Sequence, residues 1–230
     1  MTEYFRYLKS DLYKLRRCAF FPAHLLFSLC GAALMLVYAG ISGSSDSNKL
    51  AAFAQIHAIA YPFVISIVCQ ITADQEMRAG HFQNLLTRTS RMKGILSKLT
   101  WLFLAGFAAV SISAVVFGCL FPLVTDAQTP VGFFLVIPLA LWASNLFLYG
   151  LHLFLAVRFG RNLGISVGAA GSLLSALMQT GLGAGIWYVI LMAGVFVFLK
   201  VPSHGCFIFP QRTNQNCKRA SFTALSFHVL

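Results

Sequence analysis

Charge is what this sequence has least of. Only 10% of its 230 residues are Asp, Glu, Lys or Arg, and just six are acids. An ordinary soluble domain carries about a quarter charged residues to cover its surface, so that class is excluded. The marks of catalysis are missing as well. No G-x-x-x-x-G-K-[ST] loop is present to cradle phosphates, so the chain itself holds no P-loop nucleotide site. The six histidines show no H-x-x-x-H or H-E-x-x-H spacing, and the six cysteines form no C-x-x-C pair. A metal site or a disulfide framework therefore has no support, and no catalytic residue is assigned. The hydrolase-like run Gly164-Ile165-Ser166-Val167-Gly168 lies in a hydrophobic helix with no acid nearby. That pattern has meaning only on the strand-to-helix elbow of a soluble sheet.

What is abundant is apolar. Hydrophobic residues make up 58% of the chain and mean hydropathy is +0.78. They fall in blocks long enough to cross the hydrocarbon core, which takes about 20 residues of helix. The fold class expected is all-α, a polytopic membrane protein with six spans: roughly 19–41, 51–73, 99–124, 131–157, 163–180 and one ending near Lys200. Residues 1–18 carry Tyr4, Phe5, Leu8, Leu12 and Leu15 at helical spacing, an amphipathic helix in the membrane interface. Residues 201–230 are polar and irregular. Basic residues are distributed unevenly among the intervening segments. Sixteen of the 17 lie in 1–18, 74–98, 158–162 and the stretch from Lys200 onward, and only Lys49 lies on the other side. By the positive-inside rule both termini are cytoplasmic. The net charge of +11 is thereby explained without nucleic acid, since no basic stripe is interleaved with aromatics.

The cytoplasmic segment 74–98 is the most informative. Phe82, Leu85, Leu86, Thr89, Met92, Leu96 and Leu99 recur at steps of three and four, predicting a helix with one apolar face. Asp74 stands four residues before Arg78, a spacing at which the two can pair on a helix. The run Asp74, Glu76, Gly80, Leu85, Leu86 and Arg91, followed by Ser97-Lys98-Leu99, resembles the cytoplasmic loop of ABC-2-type exporter permeases. The stretch 159–187, FGRNLGISVGAAGSLLSALMQTGLGAGIW, is similar to lantibiotic-immunity permeases of the MutG/NisG type. The resemblance covers about residues 1–187 and stops after Trp187. The remainder is atypical of that family, as an altered or truncated sixth span, or a reading-frame change near its end, would leave it.

The resemblance implies a permease subunit of an ATP-driven exporter, located in the bacterial cell membrane. It implies a separate ATPase subunit carrying the ATP and Mg, a second homologous permease, and a lantibiotic-like peptide expelled from the bilayer for self-immunity. It makes Asp74, Glu76, Arg78, Gly80, Phe82, Leu85 and Leu86 the segment that couples to the ATPase. The alternative is an ATP-independent membrane immunity protein that sequesters a peptide. Gly164, Gly168, Ser172 and Ala176 recur at steps of four and form a small-residue face for close helix packing. Asn145 and His152 share one face of the fourth span and are candidates for a substrate path. Trp101, Trp142 and Trp187 fall near span ends, where indole rings anchor a helix at the interface.

Overall fold

The computed structural model describes residues 2–83, 90–125 and 127–177. The predicted sixth span and the tail lie outside these residues. Among the described residues the chain is all-helical, with seven helices: α1 (Thr2–Arg16), α2 (Phe20–Ile41), α3 (Asp46–Arg78), α4 (Arg91–Val124), α5 (Phe133–Ser144), α6 (Leu146–Phe159) and α7 (Arg161–Leu177). Three of them, α2, α3 and α4, are long and apolar enough to cross a membrane, and α5 with α6 makes a fourth if that bent pair is one span. The chain is an integral membrane protein. Its surface bears this out: Leu26, Leu34, Val37, Leu104, Phe154 and Leu173 all point outward, more than half exposed. Lipid solvates such a surface as well as it does the interior, so the helices associate through shape and hydrogen bonds.

Helices α3 and α4 have 33 and 34 residues, about 50 Å each at 1.5 Å per residue. That exceeds the roughly 30 Å hydrocarbon core, so both project beyond it. The apolar part of α3 runs from Leu50 to Ala73, which leaves Glu76 a turn past its end. The helix ends have local causes. Asp46 in the first turn of α3 complements the helix dipole, and the Ser90 side chain caps α4 by accepting from the Lys93 N–H at 3.4 Å. The predicted fourth span is broken at Asn145, where α5 and α6 bend by 42°.

Packing follows two axes. Helix α4 lies mainly against α2 and α5, and α3 mainly against α7 and α6. Near the start of α3, at the far end from Glu76, Phe53 stacks on Phe117 (ring centroids 4.5 Å apart), with Phe133 and Phe121 beside them. At mid-depth the Tyr149 hydroxyl donates to Tyr61 Oη at 3.4 Å, and Tyr61 donates to the Gly106 carbonyl at 3.3 Å. A Cβ on Gly106 would collide with the Tyr149 ring, 2.7 Å from its Cζ, so only glycine admits that approach.

Candidate functional site

The scarce charges converge at the cytoplasmic end predicted for the bundle. Lys98 of α4 places its Nζ 2.7 Å from Glu76 Oε1 of α3 and 3.6 Å from Asp11 Oδ1 of α1. Lys14 of α1 donates to the same Glu76 oxygen at 3.0 Å, and Ser97 donates to Asp11 Oδ2 at 2.7 Å. Asp11, Glu76 and Lys98 are 1%, 2% and 3% exposed. Two acids and two lysines balance, which is the condition for charges to stay ionised without water. Burial alone would raise the Glu76 pKa, but attraction and hydrogen bonding from Lys98, then from Lys14, outweigh it and hold the carboxyl below its ordinary value. Further along α1, Glu3 pairs with Lys93 at 3.0 Å, and its hydrogen bond and attraction to that lysine lower its pKa too. Tyr4 Oη lies 2.7 Å from Thr100 Oγ1, and the Trp101 indole donates to the Leu8 carbonyl at 3.0 Å. The amphipathic first helix is thus clamped to α3 and α4.

Beyond Glu76 the chain turns sharply. Gly80, His81 and Phe82 have φ of 128°, 49° and 63°, three successive residues in the left-handed region. Glycine takes such a value freely, whereas a bulky Phe there is a true outlier. The helix that periodicity predicts through 82–99 is interrupted at Ser90, whose extended backbone (φ −135°, ψ 107°) precedes the start of α4 at Arg91; residues 84–89 lie outside the described residues. Phe82 is half-buried and, with Glu76, Lys98, Leu99 and Phe154, lines a cavity of about 170 Å³. Glu76 Oε2 has no hydrogen-bond partner among the described residues. Asp74 is not paired with Arg78 as the spacing predicts. It accepts from Arg161 Nη2 at 2.9 Å and from Gln70 Nε2 at 2.6 Å, which ties α3 to the start of α7. Arg78 is exposed. Leu85 and Leu86 lie outside the described residues.

Gly164 and Gly168 are buried against α3. A Cβ on Gly168 would meet the Ser66 side chain and come within 3.1 Å of the Pro62 carbonyl. The buried stripe continues through Gly171 and Ser175, so Ser172 and Ala176 sit at its edge. Ser172 has a distinct task. Its Oγ accepts from the Phe63 N–H at 3.1 Å, directly after Pro62 inside α3. Proline disrupts the local helical ladder, and in lipid a neighbouring hydroxyl is one of the few groups able to satisfy the backbone there.

Asn145 is 1% exposed and donates to the Leu141 carbonyl at 2.7 Å, capping α5 at the bend. His152 is fully buried. Apart from a loose approach to the Gly164 backbone, neither of its ring nitrogens has a hydrogen-bond partner among the described residues. Asn145 and His152 are therefore in separate settings, a helix break between α5 and α6 and a buried position on α6.

Sequence reading missed Asp11, Lys14, Ser97 and Lys98 as a unit with Glu76. One signal was available: Asp11 interrupts the Leu8, Leu12, Leu15 stripe on α1, and an acid on an apolar face needs a buried cation.

The model of a family described as ABC-2 family transporter protein matches residues 7–171, about seven tenths of the chain, from within α1 to within α7. No curated protein and no solved structure matches the chain.

Proposed function

The chain belongs to the ABC-2 family of transporter proteins, and from that premise we propose that it is the permease subunit of an ATP-binding-cassette exporter that expels a lantibiotic-like peptide from the membrane, giving self-immunity. Membership of the family implies association with the ATPase subunits of an ABC transporter. On our reading those subunits bind the ATP and Mg, a second homologous permease completes the membrane unit, and the complex resides in a bacterial cell membrane. Six spans with both termini cytoplasmic account for the charge asymmetry, the sixth falling beyond the described residues.

One observation carries the coupling role: the left-handed Gly80-His81-Phe82 turn, which follows α3 where that helix projects past the bilayer core. A strained backbone persists only where its surroundings hold it, and such sites concentrate at clamps and switches. Phe82 would meet the ATPase, while Glu76, occupied by two lysines, would hold the end of α3 in place. Co-purification from membranes tests this. Phe82→Asp is expected to abolish ATPase capture while leaving membrane insertion unchanged, and undiminished capture rejects the role. If the unaltered chain captures no ATPase yet still protects cells from the peptide, ATP-independent sequestration is the better account.

A further inference from the structure

The clamp fixes which side of α1 faces outward. Tyr4, Leu8, Asp11 and Leu15 occupy its inner face, engaged with α4 or buried. The opposite face carries Arg6, Lys9 and Arg16, with Arg17 directly after the helix, all exposed, and with Phe5 at 65% and Tyr13 at 59% exposure between them. No carboxylate lies on this arc. The acid that would neutralise it, Asp11, is turned inward and bound to Lys98, and Glu3 at its edge is paired with Lys93.

The orientation of α1 follows from its contacts. Glu3 reaches Lys93 while the adjacent Tyr4 reaches Thr100. Neighbouring residues of α1 thus touch points two turns apart on α4, so the helices cross rather than run side by side. With α4 spanning the bilayer, α1 lies along the membrane plane. Only three residues, 17–19, separate it from α2. Arg16 and Arg17 consequently sit within a turn or so of the apolar start of α2, at the depth of lipid headgroups.

We propose that this face of α1 binds anionic lipid headgroups at the cytoplasmic surface, with Phe5 and Tyr13 inserted among them. Cations on one face of an interfacial helix, with another directly after it, form the kind of cluster that recognises anionic lipid, each supplying about a fivefold preference near the surface. Aromatic rings between them favour a bilayer over a protein partner, since rings of this kind settle at the headgroup level. The proposal needs only the membrane placement and the charge-derived orientation, and it stands or falls apart from the transport reading.

The test uses the full chain reconstituted in bilayers containing phosphatidylglycerol or phosphatidylcholine, each with the same photoreactive headgroup label. Crosslinked peptides are located by mass spectrometry. In the unaltered chain phosphatidylglycerol is expected to label α1 several-fold more than phosphatidylcholine, with the preference shrinking as salt is added. Arg6→Gln with Lys9→Gln should bring that preference down to near-equal labelling by the two lipids; Arg16 and Arg17 are kept because they flank α2 and help set its orientation. Equal labelling of α1 by the two lipids in the unaltered chain overturns the proposal without any variant having to fold. So does loss of the α1 label when a co-reconstituted ATPase covers the same residues, which would make protein the occupant.

Discussion

Lys98 shows most clearly what single residues contribute here. Among the described residues it meets acids from two other helices, Glu76 of α3 and Asp11 of α1. Lys98→Met removes from buried Asp11 its cation on α4 and from Glu76 the nearer of the two lysines it meets. Removing one member of a buried ion pair costs about 3–5 kcal/mol, and a lower thermal unfolding midpoint of the detergent-solubilised protein should register it. Replacing the buried set together, as Asp11→Leu, Glu76→Leu and Lys98→Met, should recover most of that loss, because well-packed apolar groups often match a buried ionic cluster. If the triple variant is no better than Lys98→Met, the cluster is not an independent unit. The pH dependence follows from the Glu76 shift. Its folded pKa lies below the ordinary value of about 4.3, so folding stability is fully present above that value. It is lost as pH falls through the lower folded pKa. Acid should therefore release α1, seen as faster hydrogen exchange at Leu8 through Leu15, and Glu76→Gln should blunt that acid response.

Elements differ in how far they could be read from the sequence. Both bounds of α2 and the end of α4 were legible because the apolar run stops there at polar residues, whereas α3 (Asp46–Arg78) and the start of α4 at Arg91 run several residues past the apolar stretches 51–73 and 99–124. The break at Asn145 was not, since the run through it is uniformly apolar and Pro138 lies seven residues upstream, inside α5. The turn at Gly80 was hidden by a helical period that runs on past it from Phe82. The clamp was invisible for another reason: Asp11 and Ser97 are 86 positions apart, beyond any local spacing rule. Two tryptophans expected only as interfacial anchors also prove to be helix-to-helix staples, Trp101 to Leu8 and Trp142 donating to the Phe103 carbonyl at 2.9 Å. Two substitutions probe element geometry directly. A Cβ at Gly80 would meet no atom within 4 Å, so Gly80→Ala is a pure backbone test, expected to cost about 1–2 kcal/mol by forcing alanine to φ 128°. Ser172→Ala leaves the Phe63 N–H without its partner and should cost about 1 kcal/mol. In a Pro62→Ala background, where the helical ladder can close, that loss should nearly vanish. An unchanged loss in the double-mutant cycle would mean that Ser172 acts by packing.

At the scale of the whole molecule, the clamp and the proposed coupling turn share the same two helices. Helix α1 is bonded to α3 and α4 through Glu76, Ser97 and Lys98, and the Gly80-Phe82 turn leaves α3 a few residues further on. A force applied at Phe82 must therefore either carry α1 along as one body or break the buried ion cluster. The two cases can be separated by tying α1 to α4. The side chains of Asp11 and Ser97 meet at 2.7 Å, so Asp11→Cys with Ser97→Cys, in a chain whose own cysteines are replaced, sets two thiols close to each other, and their oxidation in membranes is verified by loss of free thiol before function is read. Lys98 then keeps Glu76 as its partner, while Lys14, with 26% of its side chain exposed, can turn to solvent. On the proposed function, if α1 must separate from α4 during the cycle, the oxidised protein will still capture the ATPase but will no longer protect cells from the peptide, and reduction will restore protection. Full protection in the oxidised state would instead show that α1 and α4 move as one rigid unit. The ion cluster would then be a fixed joint, and the motion would have to arise at the other junctions of the bundle, the Asn145 bend or the Gly164–Gly168 face.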